Sequence, residues 1–193
     1  VLLGAVGAAA SLGVAEGSRA VGFRAEPVAV GVVADHAVPV GATREDALVE
    51  LGRRLFFDPG ASHSKNVACS SCHRPEHGFS DPFPQSRDDF GVTRRRSQSI
   101  LNVADTTSFH WDGEFETIEA LVSARTGDTR TADGGYGMNA RAQNGQLKVT
   151  PVAESIAKAG LYREGFRAAF GDPEPTRERL SQAIAAYTRT VKS

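Results

Sequence analysis

Sulfur is scarce in this sequence: 193 residues hold two cysteines and one methionine. A single pair of thiols rules out a framework of several disulfides. Neither sign of charge is in excess, with 22 Lys and Arg against 23 Asp and Glu. That balance argues against a general nucleic-acid binder, which needs a basic surplus. Aromatic residues are few, and Phe supplies most of them. No apolar run reaches the roughly 20 residues of a membrane crossing. No internal repeat and no convincing strand alternation is present. Glycine and proline, by contrast, are frequent between residues 58 and 175, which predicts long loops. A loop-rich chain with a modest core calls for a staple such as a metal or a bound cofactor.

What is present falls into three stretches. The opening "VLLGAVGAAASLGVA" is apolar and small. Residues 1–22 read as a signal-like segment ending in a small-residue site near Ala15, or as a membrane anchor. Residues 23–42 are rich in Val, Ala, Gly and Pro and read as an extended linker. Both readings of the first stretch put the rest of the chain across a membrane, in the periplasm.

Residues 43–193 carry the folded part. Thr43 is the expected N-cap of a helix, with Asp46 three residues on as a capping box. Ala47, Leu48, Leu51, Leu55 and Phe56 then form one apolar stripe, and Asp58-Pro59-Gly60 ends it. Further helices are expected near 98–104, over 116–124, from Thr150-Pro151, over 162–170, and after Thr176. In the last of these Leu180, Ala183, Ile184, Tyr187 and Val191 share a face. The expected fold is all-α with long loops.

Both cysteines lie in "VACSSCHRPEHGFSD", where Cys69, Cys72 and His73 spell C-x-x-C-H. This is the attachment pattern of haem c: two thiols form thioethers and the following histidine becomes the proximal iron ligand. A zinc site would need a second pair of ligands, a thioredoxin-like pair would need a βαβ context, and a plain disulfide leaves His73 unexplained. One covalent haem is therefore expected.

The neighbouring residues extend the pattern. "LGRRLFFDPGASHSKNVACSSCHRPEHGFSD", "RRRSQSILNVA" (94–104), "FHWDGEFETIEALV" (109–122) and "AIAAYTRTVKS" (183–193) occur in order. Together they resemble the first haem domain of the di-haem cytochrome c peroxidase family, which includes quinone-cofactor maturation enzymes. The resemblance covers about residues 48–193 and implies a c-type cytochrome helical core with long insertions. It implies that Cys69, Cys72 and His73 hold the first haem and that Arg96 lies near its propionates. Trp111 matches a tryptophan that relays electrons between two haems; the bland reading is a core aromatic.

The departures from the family pattern bear on function. A second C-x-x-C-H is missing from these residues. Leu121 stands where the family places a Gln, and Gly137, before Met138, stands where it places a Glu. Neither can move a proton for peroxide cleavage, a task worth about 10²–10⁴-fold. A distal His has no counterpart near Phe90-Gly91. Ser97 replaces an Asn linked to calcium, which argues against that ion. Met138 is a candidate sixth ligand, since a thioether suits electron transfer. His110 and an open position are the alternatives; His77, His63 and His36 read as surface groups. Arg94 and Arg95 read as a solvated charge run or a docking site for an acidic partner.

The expected function is a c-type electron carrier with one haem, serving a redox partner protein or a membrane electron-transfer complex. The alternative is a peroxidase-like oxidoreductase whose second haem lies on a missing segment or a partner chain.

Overall fold

The computed structural model describes residues 41–62, 64–88, 91–126, 129–131, 146–148 and 152–193. Its frame is five helices: α1 (Arg44–Phe57), α2 (Ile118–Thr126), α3 (Val152–Ala159), α4 (Arg163–Phe170) and α5 (Arg177–Thr190). α1 packs on α5 and α4, and α2 packs on α5.

Local chemistry sets the helix ends. Thr43 Oγ1 accepts from the Asp46 backbone N–H at 3.1 Å, and the Asp46 carboxylate accepts from the Thr43 N–H at 2.9 Å. The anticipated capping box is formed. Thr176 caps α5 in the same sense, accepting from Arg179 N–H. α2 starts two residues later than its apolar pattern predicts, because the Thr117 hydroxyl accepts from the Ala120 N–H and fixes the first turn there. Tyr162, at φ +62°, precedes α4 rather than joining it.

The apolar stripes meet in one core. Leu51, Leu55 and Phe56 of α1 pack with Phe166 of α4 and with Leu180, Ala183 and Ile184 of α5, each nearly inaccessible to water. The α1–α5 approach is so close that a Cβ on Gly52 would lie 1.8 Å from the Ala183 carbonyl oxygen. Only glycine fits at that point.

Two expectations are corrected. Short antiparallel ladders do occur: β1 (Arg87–Asp88) with β2 (Gly91–Val92), and β3 (Thr129–Thr131) with β4 (Gln146–Lys148). Ladders of two or three residues are too short to leave an alternating pattern. The helix expected at 98–104 is a single 3₁₀ turn, Val103–Asp105, entered from a left-handed Asn102 at φ +57°. α3 begins at Val152; Thr150 and Pro151 lie outside the described residues. So do the signal-like or anchor segment, nearly all of the linker, and Phe90, His36 and His63. Among the described residues no helix is long and apolar enough to cross a membrane.

Candidate functional site

The described residues between 58 and 110 are mostly loop, and polar bonds hold their shape. The Asp58 carboxylate accepts from Gly60 N–H at 2.7 Å and from the Tyr162 hydroxyl. Burial, then the neighbouring Asp58, push the Tyr162 phenol upward, so it stays a donor. Deeper in, Ser97 N–H donates to Ser86 Oγ at 2.7 Å, and the Ser86 hydroxyl donates to Ser97 Oγ at 3.0 Å.

The cysteine motif forms one tight turn. Ser71 N–H bonds to Ala68 O, Cys72 N–H to Cys69 O, and His73 N–H to Cys69 O at 3.0 Å. This turn sets Cys69 and His73 on one side, in the wall of a cavity of about 410 Å³. Cys72 shares the turn, but its thiol donates to the Arg87 carbonyl at 3.1 Å. Rotation about one side-chain bond would re-aim it.

His73 is held by atoms that leave no trace in the sequence pattern. Its Nδ1 lies 3.0 Å from the Gln98 carbonyl and 3.2 Å from the Phe79 carbonyl. Carbonyl oxygens only accept, so Nδ1 carries the proton and Nε2 keeps its lone pair. Burial lowers the pKa of the imidazole, outweighing the two carbonyls that favour the charged form. A neutral ring with an orienting Nδ1–H bond is what a metal-ligating histidine requires. Phe56 packs beside it, ring centroids 6.4 Å apart.

The remaining walls combine two chemistries. Ile118, Leu121 and Val122 of α2 and Ile184 of α5 are apolar, while Arg94–Arg96 edge the opening. All three of those arginines are exposed. An apolar slot with cations at one edge, the Cys69 thiol and one neutral imidazole in its wall, and Cys72 in the same turn fits a covalently attached haem.

Trp111 stands in the cavity lining, 48% exposed, so the core reading is ruled out. Its Nε1–H donates to the Arg96 carbonyl at 2.9 Å, which ties it to the arginine segment. His110 also lines the cavity, in a left-handed conformation at φ +78°. Its Nδ1 lies 3.5 Å from both Asp112 and Glu114. His77 is exposed. Ser97 exchanges hydrogen bonds with Ser86. Gly137 and Met138 lie outside the described residues.

Sequence reasoning missed several wall residues: Phe56 as a neighbour of His73, and Val122, Arg125, Ile184 and Thr188 in the lining. Leu121 and Arg125 are four apart on α2, a spacing that would have flagged a cation on the apolar face.

Comparison with known proteins agrees with this geometry. The sequence profile named Di-haem cytochrome c peroxidase matches residues 46–193. Methylamine utilization protein MauG of Methylorubrum extorquens is 36% identical over 148 residues, covering 75% of this chain and 38% of that protein. Cytochrome-c peroxidase IdrP1 of Denitromonas iodatirespirans is 32% identical over 146 residues, covering 75% of this chain and 35% of that one. The crystal structure of a MauG-like protein associated with microbial copper homeostasis superposes with a TM-score of 0.61 at 28% identity, covering 81% of this chain and 44% of that one. The chain thus spans less than half the length of these relatives. The fold is an all-α c-type cytochrome core, and the chain belongs to the di-haem cytochrome c peroxidase family, whose members are haem-dependent redox proteins.

Proposed function

We propose that residues 43–193 form a haem domain that passes single electrons between one covalent haem c and a second redox centre on a further segment or a partner chain. Cys69 and Cys72 carry the thioethers, and His73 Nε2 is the proximal ligand. Bound there, haem supplies a one-electron iron couple. The chain's own residues orient the imidazole through Gln98 and Phe79, exclude water with Phe56, Leu121 and Ile184, and offer Arg96 to the propionates. The observation that carries the reading is the placement of Cys69, His73 and the half-exposed Trp111 around one cavity. Trp111 is the exit: its indole is fixed at the mouth by the Arg96 carbonyl, where a partner or a further domain can meet it. Covalent haem attachment is carried out outside the cytoplasm, which supports a periplasmic domain.

Two measurements test this. Haem c should stay on the polypeptide in acidified organic solvent, at one haem per chain of 193 residues; full extraction would refute the attachment. Trp111→Phe should slow transfer to the second centre while the haem spectrum stays the same; an unchanged rate removes the relay.

A second reading, peroxide reduction, is favoured by the cytochrome-c peroxidases among the relatives. Against it, the Leu121 side chain lies in the cavity wall and cannot exchange a proton. Loss of the acid–base group at the Leu121 position should lower turnover below that of the di-haem enzymes by about 10²–10⁴-fold. Steady-state peroxide reduction with a reduced cytochrome donor separates the two readings.

A further inference from the structure

One buried hydroxyl stands behind two contacts of the site. Ser86 directly precedes β1 and is 1% exposed. Both bonds of its hydroxyl go to one residue: it accepts from the Ser97 N–H at 2.7 Å and donates to Ser97 Oγ at 3.0 Å. The Ser97 carbonyl is held as well, accepting from the Ser80 hydroxyl at 2.9 Å and from the Asp81 N–H at 3.4 Å. Ser97 is thus fixed at its N–H, its side chain and its carbonyl. The residues on either side of it turn their carbonyls to the redox groups. The Arg96 carbonyl accepts from Trp111 Nε1–H at 2.9 Å, and the Gln98 carbonyl accepts from His73 Nδ1–H at 3.0 Å. A peptide unit is planar, so the Ser97 N–H and the Arg96 carbonyl move as one body. Holding the first aims the second. The Gln98 carbonyl follows one held peptide unit later.

We infer that Ser86 is a positioning residue for both redox groups: through Ser97 it sets the potential of the iron held by His73 and the place of the Trp111 indole together. The inference rests on the haem-binding reading and goes beyond it by naming what tunes the iron. A carbonyl that accepts from Nδ1–H makes a ligating imidazole more basic, which favours the oxidised iron. Hydrogen bonding around the ligand is one of the levers on a haem potential. Loosening Ser97 weakens the Gln98 bond and therefore raises the potential. The Phe79 carbonyl, 3.2 Å from Nδ1, keeps the ring oriented, so the ligand is retained. A staple that merely ordered the loop would change exchange and melting and leave the potential where it was.

The experiment uses the haem-loaded protein. In Ser86→Ala a spectroelectrochemical titration should show the reduction equilibrium shifted about three- to tenfold toward the reduced iron, the range of one weakened hydrogen bond. Tenfold is about 59 mV in a one-electron couple. The chain has one tryptophan, so the Raman band that reports indole hydrogen bonding reads Trp111 alone. It should move toward a weaker bond. Ser86→Thr keeps the hydroxyl and should bring both readouts back toward wild type. Should Ser86→Ala not take up haem, Ser80→Ala carries the test: it frees the Ser97 carbonyl and should move both readouts in the same directions. Three results overturn the inference. The potential keeps its wild-type value in both alanine variants. The potential moves while the indole band does not, so that the two carbonyls are not set together. Ser86→Thr departs from wild type as far as Ser86→Ala, so that volume and not the hydroxyl decides. A chain without covalent haem would instead refute the haem reading itself, with the indole band still testing the hold on Trp111.

Discussion

The helical frame and the cysteine loop are built from different materials. In α1, α4 and α5 most buried side chains are apolar, among them Leu51, Leu55, Phe166, Leu180 and Ala183, with Arg54, Ser181 and Thr188 as the buried polar groups. Between residues 58 and 110 the buried groups are Ala68, Asp81, Ser86, Thr93 and Phe109, three of the five polar. Burial of apolar surface drives the first region, at about 25 cal/mol per Å². The second relies on hydrogen bonds that each contribute only about 1 kcal/mol net and are costly to break when buried. The frame is thus expected to order itself, and the loop to gain its order from the proposed haem.

The largest effect expected from this difference is that of removing haem. A cofactor that binds only the native state adds its binding free energy to stability. In Cys69→Ser/Cys72→Ser, stable attachment should be lost, and amides of residues 67–105 should lose hydrogen-exchange protection while those of α1 and α5 keep part of theirs. Equal protection across both regions would erase the distinction drawn here.

A smaller effect tests the frame alone. Gly52→Ala drives a methyl group against the Ala183 carbonyl. It should cost about 3 kcal/mol, the upper part of the range for overpacked cores, visible as a drop in Tm with the haem spectrum kept until unfolding. The matching change in the loop is Ser86→Ala, which removes both bonds to Ser97. About 1–3 kcal/mol is expected for a buried donor left unpaired, and the loss should appear as local exchange in residues 86–97. A global loss from Ser86→Ala would show that the two regions unfold as one.

The smallest effect is a pH dependence at the α2–α5 junction. The hydrogen bonds from Arg189 hold the Glu119 carboxyl below its ordinary value, outweighing its partial burial. A depressed carboxylate contributes stability above its unfolded pKa, and that contribution fades as pH falls through the folded value. Glu119→Gln should remove this slope on the acid side of the ordinary carboxylate range and leave neutral-pH stability within about 1 kcal/mol, as for a partly exposed pair. Thermal melts of the two proteins across that range check it.

How much was legible in advance follows the same division. Thr43, Asp46 and Thr176 specify helix starts within one turn of chain, so local chemistry fixed them. The stripes of α1 and α5 specify which faces are buried, because an apolar face has no stable alternative to a partner. The C-x-x-C-H motif carries its own chemistry in five residues. By contrast, a ladder as short as β1–β2 has no pattern to read. The α2 boundary shifted because one hydroxyl bond at Thr117 outweighed the apolar spacing.

The sequence by itself determined the helix caps, the buried stripes, the all-α class and the motif proposed to attach haem. Only the tertiary structure decided that His73 presents Nε2, because the Gln98 and Phe79 carbonyls that hold Nδ1 are backbone atoms common to every residue type. It alone decided that Trp111 is at the surface, since a lone aromatic suits a core or a rim equally well until the chain closes around it. It also brought Arg125, from a helix more than 50 positions along the chain, into the same cavity as His73. Such contacts depend on how α2 docks against α5, and no local residue pattern encodes that docking.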